Sequence, residues 1–206
     1  MRRASIAASL VLSFVAVSAH AHHVMDKQLP ETFLQGLLSG LGHPLIGPDH
    51  AAFIVCAGFF LALVERGLLG VVALVGGSLI GAVMFQSQII LLEVEAAVAL
   101  SVLLIGILLM SRRAINLSRL LVALALAGVF HGYAYGESIF GSEPVPLGAY
   151  LLGFSLIQFG VAGAAWFVHR RLNATRADLA RRVSGAIGAV TGTVGAAYLL
   201  AGVVYA

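Results

Sequence analysis

The stretch GHPLIGPDHAAF, residues 42–53, places chemically reactive side chains inside a long apolar segment. It contains His43, Asp49 and His50. Ionisable residues in lipid-spanning segments are costly and therefore indicate a function. Imidazole nitrogens and carboxylate oxygens together suit a borderline divalent ion such as nickel, cobalt or zinc. The stretch therefore predicts a metal-binding site.

Two later apolar segments also carry histidine or glutamate near one end. Glu93 and Glu95 lie near the start of one segment, and His131 and Glu137 lie near the end of another. Glu93 and Glu95 are two residues apart and face different sides of a helix, so we expect Glu95 to be the ligand and keep Glu93 as an additional candidate.

Each of these residues also has a simpler interpretation. A single histidine can be a hydrogen-bond link between helices, Asp49 can stabilise the start of a helix, and Glu93 can be solvated at the membrane boundary. The topology places all of these residues at one depth in the membrane, and this convergence favours the metal site.

The composition indicates a membrane protein. Of 206 residues, 60% are hydrophobic and 10% are charged, whereas about 25% of the residues of a soluble domain are charged. The single cysteine, Cys56, excludes a disulfide within the chain and is expected to act as a small apolar residue.

The first 21 residues have the form of a cleaved signal peptide. Arg2 and Arg3 precede an apolar run that ends in a small-x-small site. Residues 22–206 would then form one transmembrane domain with 10 basic and 9 acidic residues, because two of the 12 basic residues are removed. That balance predicts no nucleic-acid partner. The new amino terminus, His22-His23, is an additional candidate for metal binding, and its alternative is a flexible polar tail.

The mature chain is predicted to be an all-α, polytopic domain of six transmembrane helices. A helix needs about 20 apolar residues to cross the hydrocarbon core of a membrane. The candidate spans cover residues 32–64, 68–85, 89–110, 117–135, 146–168 and 183–205.

Alternate connections between the spans are rich in arginine or lack basic residues. The positive-inside rule then places the arginine-rich connections in the cytoplasm and both mature termini in the periplasm of a bacterial inner membrane. This topology brings the ionisable residues named above to one outer level. His169, beside two arginines, is expected at the cytoplasmic interface, and no ionisable residue is expected in the inner half of the bundle.

The first span is too long for one straight helix and is predicted to break between Gly42 and Pro48. We expect a helix over residues 31–41, a break at 42–47 and a new helix from Pro48, since proline interrupts a helix but suits its first turn. Broken helices form binding sites in many transporters. The break would let His43 and His50 approach one ion.

Three motifs resemble signatures of the HupE/UreJ family of nickel/cobalt permeases. His43-Pro44-x-x-Gly47-x-Asp49-His50 resembles the family's HPxxGxDH motif. Phe130-His131-Gly132-x-Ala134-x-Gly136-Glu137 resembles its second signature, and Glu95-x-x-Val98-Ala99-x-Ser101 resembles its acidic segment in the third span.

The resemblance implies a secondary transporter that takes up nickel or cobalt, with zinc as a further candidate, and that holds no permanent cofactor. The implied metal residues are His43, Asp49, His50, Glu95, His131 and Glu137. Tyr135 stands where many relatives have a histidine, which puts the preference for nickel in question.

The implied partners are the metal ion, the lipid bilayer, a second copy of the chain, or the machinery that matures hydrogenase or urease. The resemblance implies no enzymatic activity. The alternatives are a membrane metalloenzyme and a metal-sensing or metal-delivery subunit that does not transport.

Overall fold

The computed structural model describes residues 29–205, without the side chain of Tyr205. The predicted signal peptide and the candidates His22 and His23 lie outside the described residues. In the described part of the chain all regular structure is helical. The helices are α1 Phe33–Ile46, α2 Pro48–Leu61, α3 Leu68–Gln86, α4 Val94–Ser111, α5 Leu117–Glu137, α6 Pro144–Thr175 and α7 Ala177–Tyr205.

The helices have the length and composition of membrane spans. Within residues 29–205, five helices, α3 to α7, are long and apolar enough to cross a membrane, and α1 with α2 forms a sixth candidate with an 80° bend. The all-helical, polytopic fold with a broken first span is therefore confirmed.

The break is shorter than predicted. Helix α1 continues through Pro44 to Ile46, and only Gly47 separates it from α2. Pro44 removes one hydrogen bond without ending the helix. A residue that precedes proline is driven into extended backbone, and Gly47, before Pro48, has φ −71° and ψ 112°. Pro48 therefore sets the break, and Pro44 does not.

Two other boundaries differ from the predicted spans. Helix α4 begins at Val94 instead of residue 89, after Glu93 in the left-handed conformation at φ 54°. Helices α6 and α7 include most of the arginine-rich segment, leaving only Arg176 between them. The 32 residues of α6 extend about 48 Å, more than the roughly 30 Å of hydrocarbon, so α6 extends beyond it.

The connections define two ends of the bundle. We call the end with Arg66, Arg112 and Arg176 the arginine end, and the opposite end, with connections 87–93 and 138–143, the histidine end. Residues of the first two arginine-bearing connections line one cavity. At the histidine end, the Gln86 side chain donates to the Gly136 carbonyl at 2.9 Å.

Close packing between helices depends on small residues. A Cβ atom at Gly132 of α5 would collide with the Ser78 carbonyl oxygen of α3. A Cβ atom at Gly40 of α1 would likewise collide with the backbone of Tyr150 in α6. Gly132 and Gly40 therefore permit close approach of a neighbouring backbone. These contacts hold α1 on α6 and α5 on α3, which positions the histidines.

Candidate metal centre

The break between α1 and α2 brings three histidines together. His43 lies in the last turn of α1, His50 in the first turn of α2 and His131 on α5. The exposed fractions of the three residues are 7%, 4% and 1%, respectively. The ring centroids of His43 and His50 are 6.3 Å apart, and those of His50 and His131 are 4.9 Å apart. We call these three residues the histidine cluster.

Hydrogen bonds orient the two deeper rings. Ser101 of α4 donates its hydroxyl proton to the Val98 carbonyl at 2.7 Å, and its Oγ lies 2.9 Å from His131 Nε2. Because the serine proton is used, Ser101 accepts from His131 Nε2–H. His131 Nδ1 then carries a lone pair and accepts from His50 Nδ1–H at 2.8 Å. This network assigns the proton positions and leaves the His50 lone pair on Nε2.

Tyr135 completes one wall of the cluster. Its ring is fully buried, with centroids 5.2 Å from His43 and 4.7 Å from His50. Its backbone carbonyl accepts bonds from the Tyr150 hydroxyl at 2.9 Å and the Ser138 hydroxyl at 3.0 Å. From the sequence alone Tyr135 was only a departure from the family motif, whereas the structure makes it a lining residue.

The Tyr135 hydroxyl is a buried polar atom without a hydrogen-bond partner among the described residues. An unsatisfied buried group costs about 1–3 kcal/mol, so such an atom needs an explanation, and a role toward an ion or water is a common one. The phenol oxygen lies on a ring beside the imidazoles of His43 and His50. It would add one oxygen to two nitrogens as possible metal ligands. The one signal for it in the sequence was its position, where many relatives have a histidine.

Asp49 lies beside the cluster at the start of α2. Its side chain is 7% exposed, and its position in the first turn lets the helix dipole stabilise the carboxylate. The backbone of Gly47 packs closely on it, since a Cβ atom there would lie 3.1 Å from Asp49 Oδ1 and 2.7 Å from His50 Cδ2. Gly47 therefore gives the two side chains the space that they occupy.

The predicted glutamates are placed differently. Glu93, Glu95 and Glu137 are exposed at the histidine end. Within residues 29–205, no three His, Cys, Asp or Glu side chains are close enough to hold a metal ion together. The histidines and Asp49 are thus neighbours without forming a closed cage.

Comparison with known proteins agrees with the three motifs. The family model described as HupE / UreJ protein matches residues 10–197. The Protein HupE of Rhizobium leguminosarum bv. viciae is 25% identical over 181 residues, which cover 79% of this chain and 89% of the relative. No solved structure matches the chain. Because the family model covers nearly the whole chain, this protein belongs to the HupE/UreJ family.

Proposed function

We propose that the protein is a permease that takes up a divalent transition metal ion, nickel or cobalt, across the bacterial inner membrane. The observation that carries this proposal is the buried His50–His131 pair, which lies with His43 and Tyr135 at the break of the first span. Buried imidazoles at a helix break supply borderline nitrogen donors where a membrane protein otherwise excludes polar groups. The family resemblance supports the same ions.

The incomplete set of ligands in the histidine cluster favours transport over storage. An ion that is held by a closed set of strong ligands cannot leave, so conduction requires weak and exchangeable binding. His43, His50 and Tyr135 lie close together without forming a complete cage. Water would supply the missing ligands of an ion in transit.

The two deeper imidazoles are joined by a hydrogen bond, since His50 Nδ1 and His131 Nδ1 are 2.8 Å apart. For both nitrogens to bind one ion, the His50 proton would move from Nδ1 to Nε2.

The positive-inside rule supplies the orientation of the histidine cluster in the membrane. It assigns the arginine end to the cytoplasm, so the histidine end and both mature termini would face the periplasm. The exposed carboxylates of Glu95 and Glu137 would then attract cations to the entrance without binding them deeply. The histidine cluster would select the ion just below that entrance.

Uptake of radioactive nickel and cobalt in a strain that lacks its own permeases tests this proposal. We expect His50→Ala and His131→Ala each to reduce uptake at least about tenfold, the effect of losing about 1.4 kcal/mol. Ser184→Ala is the matched control, since Ser184 is equally buried but only donates to the Ala180 carbonyl of its own helix. Wild-type uptake in both histidine variants would refute the site.

Purified protein in liposomes separates the alternatives. Metal influx supports a permease. Binding without influx would indicate a metal-sensing or metal-delivery subunit, and turnover without influx would indicate a membrane metalloenzyme. Either of these last two results would overturn the transport proposal.

A further inference from the structure

His169 is a second buried imidazole, far from the histidine cluster. The sequence places it at the cytoplasmic interface, and the structure adds that the side chain is 0% exposed. Among the described residues, neither Nδ1 nor Nε2 has a hydrogen-bond partner. Its ring contacts Phe59 edge to face, with centroids 5.3 Å apart. The ring turns inward because the neighbouring residues Arg170 and Arg171 occupy the exposed faces of α6.

Helix α2 connects the two imidazole sites. Its first turn carries His50, and its last turn carries Phe59, which touches His169. His50 and Phe59 are nine positions apart, which places His169 on the order of 14 Å beyond the cluster along α2. His169 therefore lies at the arginine end of the same helix.

A second buried polar side chain lies on the same face of α6. Gln158 shares the buried face of α6 with His169 and is 1% exposed. The Ser78 hydroxyl donates to the Leu74 carbonyl at 3.0 Å, so its oxygen accepts from the Gln158 side-chain amide at 3.2 Å. His169, in contrast, carries two unsatisfied nitrogens, which are expensive in an interior and indicate a role beyond packing.

A cavity lies at the arginine end, beside the end of α2. Phe60, adjacent to the Phe59 contact, lines a cavity of about 550 Å³ together with Arg112 and Arg113. The Arg112 side chain is near enough to His169 to act on it electrostatically. The imidazole and the cavity are thus contacted by consecutive residues of α2, Phe59 and Phe60.

We propose that His169 is an inner metal-binding station, which receives the ion from the histidine cluster and releases it toward the cavity at the arginine end. This inference rests on the proposed transport function. A single imidazole, with water as the other ligands, binds a divalent transition ion weakly, and weak binding is what release requires. One of the two unsatisfied nitrogens of a neutral imidazole carries a lone pair, which is the ligand that such a passing, hydrated ion would use.

His169→Phe tests the station. Phenylalanine keeps an aromatic ring against Phe59 and removes the two unsatisfied nitrogens, so we expect thermal stability at least equal to that of the wild type. We expect nickel binding to the purified protein to stay within about twofold, because the histidine cluster is intact, and nickel uptake to fall about tenfold or more. Loss of uptake with retained binding is the result that supports the proposal.

Three parallel measurements distinguish the possible failures. His50→Ala should lose both binding and uptake, and Ser184→Ala should lose neither. Wild-type uptake in His169→Phe, with uptake lost in His50→Ala, would overturn the inner station and leave the proposed function intact. Wild-type uptake in both would overturn the proposed function.

A labelling experiment tests the station independently of that variant. In His169→Cys, a membrane-impermeant thiol reagent applied from the cytoplasmic side should label the new cysteine, and nickel should slow the labelling. The wild type is the control, because its own Cys56 is 0% exposed. Failure to label His169→Cys above the wild-type level would show that water does not reach this position and would overturn the proposal.

Discussion

Gly47→Ala offers the sharpest test of how the break positions the metal centre. Gly47 has φ −71° and ψ 112°, a conformation that alanine adopts without strain. The added Cβ would, however, lie 2.7 Å from His50 Cδ2, and ordinary contact begins at 3.4 Å. The His50 ring must therefore move by about 0.7 Å, or the backbone must yield by as much.

The expected magnitude follows from the interactions of that ring. His50 Nδ1 donates to His131 Nδ1 at 2.8 Å, and a displacement of about 0.7 Å takes the pair out of the range of a good hydrogen bond or a shared ion. Losing one polar interaction with a charged ligand costs about 1.5–3 kcal/mol, equivalent to about 10–100-fold weaker nickel binding. The fold should persist, because replacing glycine at a compatible conformation stabilises proteins by about 0.4–1 kcal/mol.

The assay is calorimetric titration of nickel into purified protein, with thermal unfolding measured on the same samples. Gly148→Ala is the matched control, since a Cβ atom there would meet nothing within 4 Å. The reasoning is refuted if Gly47→Ala binds nickel within about twofold of the wild type. It is refuted equally if Gly148→Ala weakens binding as much as Gly47→Ala does.

Three further variants address neighbouring contacts. Tyr135→Phe removes the unsatisfied hydroxyl, so we expect unchanged or higher thermal stability and about tenfold weaker nickel binding by calorimetry; unchanged affinity would exclude the phenol as a ligand. Ser101→Ala removes the acceptor for His131 Nε2 and should weaken nickel binding about fivefold, the effect of one hydrogen bond of about 1 kcal/mol; the same titration measures it. Gly132→Ala places a Cβ atom against the Ser78 carbonyl oxygen, and because backbone cannot move aside cheaply, we expect a loss of about 1–3 kcal/mol in stability, seen as a lower unfolding temperature; wild-type stability would contradict the close contact between α3 and α5.

Much of the fold could be predicted from local sequence features. A hydrophobic content of 60% with 10% charge requires helices whose backbone groups bond internally, and six apolar runs imply the spans. The position of the break was only partly predictable. Both Pro44 and Pro48 disfavour a continuing helix, and the local rule does not say which of them ends it.

The candidate site was predictable in depth but not in lateral position. Counting residues from each predicted end placed His43, His50 and His131 at one level, and they are neighbours in the structure. The same counting placed Glu95 at that level, yet its side chain is exposed. Depth depends on the rise per residue along one helix, whereas the direction that a side chain faces depends on which helix packs beside it.

By itself the sequence determined that this protein is a helical membrane protein with imidazoles near one end of its bundle, because hydropathy and residue spacing along a chain are local properties. Only the tertiary structure decided that Tyr135 lines the histidine cluster and that His169 is buried against Phe59 of α2. Both outcomes depend on contacts between residues far apart in the chain. In a bundle that is apolar on nearly every face, periodicity does not indicate which face of a helix turns inward.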